Sequence, residues 1–139
     1  MLKGKFRINS GAWQDNVVLR GMNTGIGVIL NGLISPLPIE VTTVALGDGT
    51  TPASENDTGL ENEIAEAQIA YRERQAVDTV LLQFFFNNQE LPNGTYTELG
   101  LKVGSKFLTR ALFTAPYEKE EGTDTIVEYL LIGDNEYQS

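Results

Sequence analysis

Apolar and polar positions alternate through most of the second half of this chain and fall into helical spacing once, near its start. Phe6 and Ile8 are spaced like one face of a short strand, or of an N-terminal arm (residues 1–12) that packs on something else. After Asp15 and Asn16 come Val17, Val18 and Leu19, then Met22, Ile26, Ile29, Leu30 and Leu33. That recurrence predicts a helix from about Asn16 to Leu33, with Asp15 or Asn16 able to cap it. Gly21, Gly25 and Gly27 weaken it by up to ~1 kcal/mol each relative to alanine, through close packing or a break into two turns. Pro36 and Pro38 stop it.

From there the pattern is one of strands. Val41, Val44 and Leu46 read as a strand broken by Gly47-Asp48-Gly49, and residues 50–58 form a polar loop with nothing large enough to bury. Thr58 to Glu61 resembles a helical turn capped by Asp57 or Thr58. Residues 64–74 alternate and predict an edge-like strand. Residues 77–87 predict a richer one, in which Phe84, Phe85 and Phe86 require either two covered faces or one phenylalanine at a subunit interface. Asn93-Gly94 turns the chain into a strand over 96–103, Gly104-Ser105 into another over 107–113. A charged loop over 117–123 leads to a last strand over 125–132 and a polar tail, 134–139, expected to fray. About six strands and one early helix predict a mainly β single domain over residues 1–139. Its expected form is an antiparallel β-sandwich or partly open barrel with one N-terminal helix.

Composition narrows the chemistry more than the fold. The 139 residues include no cysteine and no histidine, which removes thiol chemistry, the usual neutral-pH base and the commonest metal ligand. A formal charge of -9 ill suits phosphate neutralisation, so nucleic acid is not an expected partner. The start shows no signal-peptide pattern and the longest apolar runs are too short to span a bilayer, so a soluble chain made in the cytoplasm is expected, without a membrane partner. No phosphate-cradling glycine loop or nucleophile elbow occurs. Glu61, Glu63 and Glu66 are read as surface acids rather than a hydrolase pair. Asp48, Glu55 and Asp57 do not match a calcium-loop spacing and are read as turn and capping residues. No cofactor, metal or catalytic residue is assigned.

The segment VALGDGTTPASENDTGLENE resembles a block in small virion proteins of tailed bacteriophages, in which a strand, a glycine-threonine turn and a loop lead to an acid-threonine-x-leucine-x-x-glutamate pattern. Asp57, Thr58, Leu60 and Glu63 carry it here. Glu98-Leu99-Gly100-Leu101 and Leu108-Thr109-Arg110-Ala111 are similar to two later strands of those proteins, the second in altered residue order. The resemblance implies a non-enzymatic β-rich component of a phage particle: a tail, baseplate, connector, fibre-associated or capsid-attached part. Such a part is made in the bacterial cytoplasm, resides in the virion and works as a homo-oligomer docked to other phage structural proteins. The candidate interface residues are Leu2, Phe6, Ile8, Trp13, Phe84, Phe85 and Phe86. Residues 2–8 are candidates to add a strand to a neighbour's sheet. Asp48, Thr50, Glu55 and Asp57 are candidate loop contacts. The alternative is a host-surface or carbohydrate-binding module of the virion, which needs Trp13, Tyr96, Tyr117 and Tyr137 gathered on one surface.

Overall fold

A computed structural model describes residues 2–133; the tail expected over 134–139 lies outside them. Among the described residues, ten strands and one helix follow in the order β1 (Leu2–Ile8), β2 (Gln14–Asp15), β3 (Val17–Val18), α1 (Ile26–Leu33), β4 (Thr43–Gly47), β5 (Glu63–Ala76), β6 (Thr79–Phe86), β7 (Gly94–Val103), β8 (Lys106–Phe107), β9 (Thr109–Lys119) and β10 (Thr125–Gly133). They form one antiparallel sheet in the order β2-β1-β10-β6-β5-β4-β7-β9-β3, with β8 on β7, curled into a nearly closed barrel. The mainly β architecture with a single helix is as the alternation predicted.

The barrel closes where the chain changes edges. β2 pairs with β1 and β3 with β9, so the step across Asn16 carries the chain from one edge to the other. Asn16 donates from Nδ2 to the Tyr129 hydroxyl at 2.5 Å, and its backbone N–H donates to the Gly4 carbonyl. Gln14 Oε1 accepts from the Thr114 backbone N–H at 2.7 Å, spanning the same gap. Inside, Phe6 lies against Phe113 and Tyr129, with Leu46, Phe84, Phe86, Leu99 and Val127 completing the core.

Several expectations are corrected. The helix begins at Ile26, not Asn16, because Val17-Val18 pairs with Thr109-Arg110 and the chain then folds back on itself: Ile26 N–H donates to Leu19 O. Gly25 makes that fold possible, since its φ of 52° is the left-handed region and a Cβ there would meet the Leu19 carbonyl. No side chain caps the helix, so neither Asp15 nor Asn16 does so. Residues 58–61 form no helical turn. The 64–74 strand is not an edge over its first half: β5 lies between β6 and β4, although β4 covers it only as far as Gln68 and residues 71–76 pair with β6 alone and are exposed. Residues 2–8 are an internal strand of this chain's own barrel, between β2 and β10. The expected loop at 117 begins only after Lys119.

Candidate functional site

The polar loop over 48–62 is braced from beneath by buried charge. Glu98, fully buried on β7, accepts four hydrogen bonds: from the backbone N–H groups of Gly49, Glu61 and Asn62 at 2.7–2.9 Å, and from Arg110 Nε at 3.0 Å. Four donors fill the acceptor capacity of a carboxylate. Arg110, equally buried on β9, spreads its fork to Glu98, to Asp57 at 3.0 Å and to the Thr51 carbonyl at 2.8 Å. Asp57 also accepts from Ser54 N–H, and Glu61 accepts from the N–H groups of Thr50 and Thr51 and from the Thr51 hydroxyl. Those bonds to Thr51 and Thr50 hold the Glu61 carboxyl below the usual range. A loop that looks free in sequence is therefore tied at both ends and in its middle.

The second feature is apolar. α1 turns Val28 inward and leaves Leu30 and Leu33 exposed, and the chain beyond continues the exposed face with Ile34, Leu37 and Ile39. Met22 shares a surface hollow with Ile26 and Leu30. Beside this face a crevice of about 420 Å³ opens among Ile29, Ile39, Val80 and Leu131, lined also by Leu2 and by the charged Glu40, Arg74 and Asp78. No charged residue occurs from Gly21 to Ile39.

The candidate residues fall in different places. Phe6, Phe84 and Phe86 fill this chain's own core, and Ile8 packs against it. Phe85 alone of the three points outward, 44% exposed, opposite the similarly exposed Ile126 on β10. Leu2 lines the crevice. Trp13 is partly exposed under the Arg7 guanidinium, 4.5 Å from its ring. Asp48 accepts from Asn62, Thr50 is tied to Glu61, Glu55 offers its carbonyl to Arg20 N–H, and Asp57 is paired with Arg110. Of the aromatic residues of the alternative reading, Tyr96 and Tyr117 are cross-strand partners, but Tyr96 is buried with its hydroxyl on Pro92 O, Tyr117 bonds Thr125, and Tyr137 lies outside the described residues.

Sequence reasoning missed both features. Glu98 and Arg110 stand in the segments of the resemblance but were assigned no role, and only the barrel brings them together. The apolar face did leave a signal, the long absence of charge in an acidic chain. Glu63 and Glu66 are within ion-pair distance of Lys102, and the Glu61 carboxyl accepts from Thr50 and Thr51, so the three acids each have a partner of their own and do not face one another as a pair. Among the described residues no group of three or more metal-ligating side chains could hold an ion, and no helix is long and apolar enough to cross a membrane. Comparison with protein-family models, curated proteins and solved structures finds no match.

Proposed function

We propose that this chain is a non-enzymatic structural component of a bacteriophage particle, an oligomer that docks to other virion proteins in a tail, baseplate, connector or fibre attachment. One observation carries the reading. The three sequence segments that resemble phage virion proteins, far apart in the chain, meet at Asp57, Glu98 and Arg110 and are knit into a single brace. Their charged residues hold the loop against the barrel, which gives it a fixed shape to present to a neighbour. The remaining exposed features are contact surfaces.

Particles banded from a lysate of cells that carry the gene provide the test. Tryptic peptides of this chain at a fixed ratio to the major particle proteins are expected. Abundance in the lysate with none in the banded particles would overturn the reading.

A further inference from the structure

We propose that the apolar face made by α1 and residues 34–39 is where a second copy of this chain packs. The inference rests on the oligomeric part of the preceding reading and gives it a surface. Met22, Leu30, Leu33, Ile34, Leu37 and Ile39 stand out from the barrel, with Leu33, Ile34 and Leu37 72–86% exposed. Their combined area is of the order of the ~800 Å² per partner that a standard interface buries. A monomer rarely leaves that much apolar surface exposed along one short stretch of chain.

Charge selects the occupant. Two copies bring -9 to -9, and their repulsion is least where the contact itself carries no charge. The stretch from Gly21 to Ile39 has none, although charged residues make up 21% of the chain, and the charges that border it in space, Arg20 beside Met22, and Lys106, Glu40 and Arg74 beside Ile39, are of both signs. A basic partner recruited by the acidic surface would meet free carboxylates at its contact, whereas Glu40, which borders this face, is already paired with Arg72. An apolar face is also complementary to itself, which symmetric association requires.

The two ends of the face are held in place before it is covered. Gly25 N–H donates to Phe107 O, Ile26 N–H to Leu19 O, Asn31 Nδ2 to Met22 O at 2.9 Å, and the Ile39 side chain lies over Gly32. Association therefore orders little new backbone, which lowers its entropic cost.

Light scattering coupled to size exclusion, across a concentration series, tests the surface with Ile34→Glu, Leu37→Glu and their double variant. Both side chains are largely exposed, so circular dichroism and the melting temperature are expected to stay those of the parent. Phe85→Glu, on the outward face of β6, serves as the control. The expected result is an oligomeric parent and Phe85→Glu protein, with the double variant reduced to the monomer mass. An oligomer that survives the double variant but falls apart with Phe85→Glu overturns this face and leaves the oligomeric reading standing. A parent that is monomeric at every concentration overturns both, while the content of banded particles still decides the virion role separately.

Discussion

Arg110 shows how much weight one residue carries here. Among the described residues its guanidinium is the only side-chain cation bonded to the fully buried Glu98, and removing it leaves that carboxyl without its ion pair. Arg110→Met is expected to cost about 3–5 kcal/mol in urea unfolding, the range for a broken buried pair. Asp57→Ala, which loses a partly exposed partner, is expected to cost nearer 1 kcal/mol. Equal losses in the two variants would mean that the weight lies in the loop and not in the buried pair. Glu128 sets a pH dependence at the same scale. The hydrogen bond from Arg7 at 2.7 Å, helped by Gln83, holds its carboxyl below the ordinary value of 4.5. A depressed carboxylate stabilises the fold above its unfolded pKa and loses that contribution as pH falls through the lower folded value. The fall in urea midpoint between neutral and acid pH is therefore expected to be smaller in Glu128→Gln than in the parent. At this scale the sequence was half legible. Alternation showed that the three phenylalanines divide between two faces, but not that Phe85 is the outward one, because the sign of a two-residue period depends on which side the core lies.

At the scale of elements, the seam at Asn16 decides whether a curled sheet becomes a barrel. Gly4 is its tightest point: a Cβ there would stand 2.5–2.8 Å from the Asn16 amide, which Tyr129 holds in place. Gly4→Ala is expected to destabilise by about 1–3 kcal/mol, as overpacking does. Gly133→Ala meets nothing within 4 Å and is expected to shift the thermal midpoint by less than about 0.5 kcal/mol equivalent. A neutral Gly4→Ala in calorimetry would show that the seam relaxes freely. The strand over 125–132 was readable because it buries alternate residues, and the one over 96–103 because it lies between two clear turns, although its middle, from Glu98 to Leu101, is buried on both faces. The helix was overdrawn because Val17 and Val18 fit a helical stripe and a strand equally well, and only pairing with β9 breaks the tie. β5 was misjudged as an edge for the converse reason: its outer half is exposed on both faces although its inner half lies in mid-sheet.

The whole molecule combines a strong negative charge with one uncharged apolar face, and the two act against each other in association. Raising salt from about 0.01 M to about 1 M shortens the Debye length from about 30 to about 3 Å and removes most of the repulsion between copies, while the apolar contact remains. The scattering mass at fixed protein concentration is therefore expected to rise with sodium chloride. A mass that falls with salt would mean that ion pairs, not apolar contact, hold the copies together. The chain's own residues determined the β class, the strand turns and the absence of thiol and imidazole chemistry, because these depend on composition and on periods of two to four residues. Tertiary structure alone decided the rest: that residues 2–8 complete the chain's own barrel, that Glu98, Arg110 and Asp57 meet, and that the residues after α1 stay uncovered. Each of those depends on segments dozens of residues apart finding one register around a closed sheet, and local periodicity carries no information about that.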